Sequence, residues 1–89
     1  MREILISNRF KKDQKKALKN PRQDTDKLLQ VIEILVSDGA LPVEYKPHPL
    51  IGDWCNKWEC HIQPDFLLIY EVSDTFLKLE RCGSHSELF

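Results

Sequence analysis

Two periodicities divide this chain. Between Asn8 and Lys19 the apolar positions follow a helical spacing: Phe10, Gln14, Ala17 and Leu18 fall on one face, and Lys11, Lys12, Lys15, Lys16 and Lys19 on the other. This predicts a helix capped by Asn8, preceded by a short apolar strand from Glu3 to Ile6. NPRQDTD reads as a loop, in which Asp24 or Thr25 caps a second helix. That helix carries Leu28, Leu29, Ile32, Leu35 and Val36 at helical spacing until Gly39 stops it.

From Leu41 onward prolines appear and the period changes. In Trp58 to Gln63 a period of two places Trp58, Cys60 and Ile62 on one face and Glu59, His61 and Gln63 on the other. Phe66 to Val72, FLLIYEV, is nearly continuously apolar and predicts a central strand; Phe76 to Cys82 follows after a turn at Ser73-Asp74. The expected fold is α+β in the order β-α-α-β-β-β, with both helices covering one face of an antiparallel sheet. The opposite face is left for function.

A chain of 89 residues has room for one core, so a single domain over residues 1–89 is expected. No apolar run approaches the roughly 18–20 residues that span a bilayer, and MREILISNRF lacks the pattern of an export signal, which points to the cytosol. Cys55, Cys60 and Cys82 are odd in number with no C-x-x-C spacing, so they read as reduced, buried thiols. The formal net charge is −1, but residues 1–30 hold nine Lys/Arg against four Asp/Glu, and residues 31–89 four against ten. The two parts of the chain are electrically different.

Three histidines carry the candidate chemistry: His48 between two prolines, His61 on the polar face of its strand, and His85 in GSHSELF. Each has an ordinary structural reading: a rigid-loop residue for His48, a solvated strand position for His61, a packing residue for His85. Asp65 can be a turn residue, Arg81 a surface partner of Glu80 or Glu59, the lysine stripe a wet helix face, and Trp54 and Trp58 packing. The three histidines with Asp65 and Cys60 also allow a metal site, structural or hydrolytic, although their spacing fits no zinc motif.

HPLIGDW, ECHIQPDFLLIYEV and LERCGSHSELF, in this order and separation, resemble the YafQ branch of the RelE-like bacterial toxins. The resemblance spans essentially the whole chain. It implies a small ribosome-dependent ribonuclease that cuts messenger RNA, needs no cofactor, and is silenced by a co-expressed antitoxin of the DinJ/RelB type. The chain would be a monomer when free and a heteromeric complex when silenced. The implied functional set is His48, His61, Asp65, His85 and Phe89. Phe66 stands where the family often has tryptophan, and Trp58 where arginine is usual. A catalytically inactive antitoxin-binding module is the other function compatible with such a chain.

Metal-independent RNA cleavage requires a base for the 2′-hydroxyl, charge on the phosphorane-like transition state and an acid for the leaving 5′-oxygen. Histidine can be base or acid near neutral pH. On this reading Asp65 orients an imidazole, and Arg81 offers a planar fork to phosphate oxygens. Phe66 and Phe89 offer faces to unstacked bases, and the lysine stripe meets phosphates. Gly83 is expected to turn the chain so that His85 stands over the same groove as His61, with Leu88 packing this segment down.

Overall fold

The computed structural model describes residues 1–37, 39–52 and 56–89, so Trp54 and Cys55 lie outside the described residues. The chain runs β1 (Glu3–Ile6), α1 (Asn8–Leu18), α2 (Thr25–Val36), a 3-10 turn (Val43–Tyr45), β2 (His48–Pro49), β3 (Trp58–Gln63), β4 (Phe66–Val72), β5 (Phe76–Gly83) and α3 (His85–Leu88). The sheet order is β1-β5-β4-β3-β2. Strands β2 to β5 form the expected antiparallel part, whereas β1 lies parallel to β5, which makes the sheet mixed. The two-residue β2 and the one-turn α3 add to the predicted layout.

Local chemistry sets the helix ends. Ser7, not Asn8, caps α1: its hydroxyl accepts from the Phe10 N–H at 3.0 Å and donates to the Glu80 carbonyl at 2.7 Å. One side chain thus starts the helix and ties it to β5. Asp24 caps α2 by accepting from the Lys27 N–H at 3.0 Å, and the Gly39 N–H closes the far end on the Ile34 carbonyl at 2.9 Å.

Phe10 and Ala17 of α1 and Leu28, Val31, Ile32 and Leu35 of α2 cover Cys60, Ile62, Phe66, Leu68, Tyr70, Leu77, Leu79 and Cys82 of the sheet. Two helix assignments are corrected here. Leu18 is 66% exposed although its neighbour Ala17 is in the core, and Leu29 is 49% exposed while Val31 takes the core position instead. Trp58 shares the face of Cys60 but sits at the strand end, 37% exposed.

The continuous apolar run of β4 has a simple cause. Phe66, Leu68 and Tyr70 face the helices, and Leu67 and Ile69 face the other way, where Leu88 of α3 and Leu50 bury them. The second sheet face is therefore not fully open. Its centre is a small apolar plug, and the polar residues of β3 border it, since His61 pairs with Leu67 and Glu59 with Ile69.

Candidate active site

On this second face the three histidines meet. The ring centroids of His48 and His61 are 6.0 Å apart, and those of His61 and His85 5.9 Å, so the imidazoles form a row with His61 in the middle. Three separate elements deliver them. His48 comes from β2, where it pairs directly with Glu59; His61 lies two residues further along β3; His85 opens α3.

Glu59 joins the first two rings. It is 5% exposed, and its Oε1 lies 3.3 Å from His48 Nε2 and 3.5 Å from His61 Nε2. His48 Nδ1 is 2.8 Å from the Lys46 carbonyl. The two ring nitrogens of His48 thus face a carboxylate on one side and a backbone carbonyl on the other.

At the other end Asp65 Oδ1 accepts from the His85 backbone N–H at 2.9 Å and from its Nδ1 at 2.7 Å. These bonds fix the tautomer, leaving Nε2 to accept a proton when the ring is neutral and to donate one when it is charged. They also hold the Asp65 carboxyl below its ordinary value, the backbone bond being the larger cause. Gly83, at φ +153, supplies the turn before α3, and a Cβ there would come within 3.1 Å of Glu87 Oε1. Ser84 and Glu87 form a capping box; the Ser84 N–H and Lys16 lower the Glu87 carboxyl to about 2. With Leu88 only 8% exposed, His85 is anchored on both sides, and Leu88 packs the segment down as expected.

Arg81 has a partner that neither expectation named. It forms a two-pronged pair with Asp13 of α1, Nε to Oδ2 at 2.8 Å and Nη2 to Oδ1 at 2.9 Å, while Oδ2 also accepts from the Cys82 N–H at 3.3 Å. The reason is topological: β1 ends opposite Leu79, and beyond that point α1 lies against β5. The arginine fork is thus engaged in fastening α1 to the sheet edge, and its positive charge is held firmly by Asp13.

Phe66 requires a correction. It is 1% exposed in the core beneath the helices, since strand alternation puts it with Leu68 and Tyr70, and although it borders the cavity beside Asp65 almost none of its ring is open to a base. Phe89, 61% exposed, keeps one. Lys11, Lys12, Lys15, Lys16 and Lys19 are all exposed, and Lys16 pairs with Glu87 at 3.0 Å, which brings the stripe to the edge of α3.

Cys60 and Cys82 are free, and burial raises both thiols to about 12. Cys60 faces the helices, away from the imidazoles, and Asp65 is engaged with His85, so neither belongs to a cluster with the other histidines. Among the described residues the donor set that fits a metal ion is His48, Glu59 and His61, whose ligand atoms lie within 4.8 Å of one another. Glu59 is the site residue that sequence reasoning passed over. Its signal was present, since it shares the polar face of β3 with His61, but its link to His48 depends on the two-residue strand β2.

Two cavities flank this end of β3. One, of about 520 Å³, is lined by residues that include Asn20, Arg22, Gln23 and Asp65; the other, of about 250 Å³, includes Lys27, Tyr45, Lys46 and His61. Gln63 and Pro64 line both.

Three imidazoles and two carboxylates on the second sheet face define a small α+β protein with the groups for acid–base chemistry. A family model described as "Bacterial toxin of type II toxin-antitoxin system, YafQ" matches residues 2–89. The chain is 39% identical over 89 residues to the "mRNA interferase toxin YafQ" of Escherichia coli strain K12, covering 99% of this chain and 96% of that protein. Its fold superposes on YafQ in the crystal structure of the E. coli DinJ–YafQ complex with a TM-score of 0.92 at 39% identity, covering 100% and 99% of the two chains. It also superposes on the metal-bound toxin from Helicobacter pylori, with a TM-score of 0.90 at 42% identity and complete coverage of both. The chain belongs to the YafQ family of type II toxin–antitoxin toxins.

Proposed function

We propose that this chain is a ribosome-dependent messenger RNA endoribonuclease, the toxin of a type II toxin–antitoxin pair, acting as a single domain over residues 1–89 in the bacterial cytoplasm. The observation that carries the reading is the row of imidazoles at 6.0 and 5.9 Å with an acceptor locked at each end. His85, oriented by Asp65, protonates the leaving 5′-oxygen. His61 takes the 2′-hydroxyl proton, and the buried Glu59 carboxylate 3.5 Å from its Nε2 stabilises the imidazolium that results. His48 completes the row beside the transition-state phosphate. The attack makes the bond from the 2′-oxygen to phosphorus and breaks the bond to the 5′-oxygen, so the products are a 2′,3′-cyclic phosphate and a free 5′-hydroxyl. No metal or cofactor enters.

Arg81 acts in this scheme by fixing the last strand through Asp13, because its fork is held there and not open to phosphate. Phe89 stacks on a base, and the exposed lysines of α1 meet ribosomal or messenger phosphates. The partner is an antitoxin of the DinJ/RelB type, supported by the complex that the E. coli relative forms. Its acidic or amphipathic segment covers the histidine face. Among the described residues no helix is long and apolar enough to cross a membrane.

The test adds purified chain to programmed ribosomes and maps both new RNA ends. A 2′,3′-cyclic phosphate or its 3′-phosphate product, formed equally with EDTA present, supports the reading; no cut at all refutes it. A second reading, a metal-assisted hydrolase, is favoured by the His48, Glu59 and His61 donor set and by the metal-bound H. pylori relative. It requires activity that EDTA removes and an added divalent metal restores, with the ribosomes controlled for.

A further inference from the structure

The smaller cavity, of about 250 Å³ beside His61, has two lysines in places that local structure disfavours. Lys27 stands in the first turn of α2, two residues after its first residue, where a cation opposes the helix dipole. Lys46 adopts the left-handed conformation, φ 49 and ψ 50, which favours glycine. Neither the helix dipole nor the left-handed turn favours a lysine at its position, and both lysines line the same cavity. Strained or unfavourable placements concentrate where function demands them.

Their surroundings hold these lysines in position. Lys27 Nζ lies 5.6 Å from the centroid of Tyr45, a buried ring at the end of the 3-10 turn. The Lys46 carbonyl accepts from His48 Nδ1 at 2.8 Å, so the turn that displays Lys46 is bonded to the histidine row itself. Gln63 is already used, its Oε1 accepting from the Asp24 N–H at 2.8 Å. Glu44 also lines the cavity, so the charge of its lining is net positive by one with His61 neutral. A volume below the roughly 300 Å³ of ordinary ligand pockets admits one small anionic unit.

Resting on the nuclease reading above, we propose that Lys27 and Lys46 form a subsite for the backbone phosphate of single-stranded RNA next to the scissile one. With His61 lining the same cavity, an RNA strand whose scissile phosphate meets the histidine row puts a neighbouring phosphate within this subsite. The two lysines are positioning residues: they hold the strand and take no part in the bond changes.

The experiment measures single-turnover cleavage of ribosome-bound message against toxin concentration. It uses wild type, Lys27→Gln/Lys46→Gly, which keeps the left-handed turn, and Lys27→Arg. Each cuts normal message and messages carrying one uncharged methylphosphonate at either phosphate flanking the cut. Removing the two charges should raise the half-saturating concentration about tenfold with the maximal rate unchanged, a binding effect. Lys27→Arg, which keeps the charge, should saturate as wild type does, and the unchanged maximal rate of the double variant excludes misfolding. One of the two methylphosphonates should weaken wild type similarly while adding little to the double variant. Equal saturation by wild type and double variant, or losses that multiply at both positions, would overturn the subsite and leave the nuclease reading standing. If wild type leaves the message intact, the nuclease reading falls and the subsite with it.

Discussion

Replacing Asp65 separates orientation from charge at the end of the histidine row. Asp65 Oδ1 accepts from both the backbone N–H and Nδ1 of His85, at 2.9 and 2.7 Å. With Asp65→Ala the ring is free to sample three χ1 wells and two χ2 orientations, so one conformer in about six remains productive. The charge adds only modestly, because the two side chains are 55% and 67% exposed and water screens the pair. Orientation and charge together give a loss of about 10–30-fold in single-turnover cleavage on ribosomes. Asp65→Asn should lose only about 2–5-fold, since the backbone N–H keeps an amide oxygen turned toward the ring. His85→Ala should lose about 10²–10⁴-fold, the usual worth of a positioned acid. The decisive variant is the double one. If Asp65 acts only through His85, His85→Ala/Asp65→Ala is no slower than His85→Ala alone. A double variant slowed by the product of the single effects refutes this and gives Asp65 an independent contact with RNA.

Glu59→Gln should lower cleavage at least tenfold while thermal unfolding stays cooperative; wild-type rates would remove Glu59 from the chemistry. Asp13→Ala strands the Arg81 fork and the Cys82 N–H, and should cost about 1–3 kcal/mol in urea unfolding. The Glu87 carboxyl is lowered from 4.5 to about 2, so its contribution to stability is complete above about pH 4.5 and is lost as pH falls toward 2. Glu87→Gln should flatten that acid limb, which pH-dependent denaturation would reveal. Burial holds the Cys60 and Cys82 thiols at about 12, so both should resist thiol reagents at pH 8 until the chain unfolds, as peptide mass analysis would record.

Much of this molecule is written in local pattern. The lysine stripe, the caps at the start of α2 and the alternation of β3 follow from residue types at periods of 3.6 and two, so the two helices and three main strands were legible from sequence. The quoted motifs, through their resemblance to a known family, named His48, His61, Asp65 and His85 before any geometry was available. Long-range pairing decided the rest. The parallel direction of β1 depends on where α1 docks, and the Arg81–Asp13 pair joins residues 68 apart in sequence. Phe66 fell to the core because the strand's register, not its composition, chose which side faces the helices. Glu59 gained its place between two imidazoles from a two-residue strand too short to carry a periodic signal. A sequence specifies which side chains alternate or repeat; only the folded chain decides which distant groups they meet, because those contacts depend on register and docking across the whole sheet.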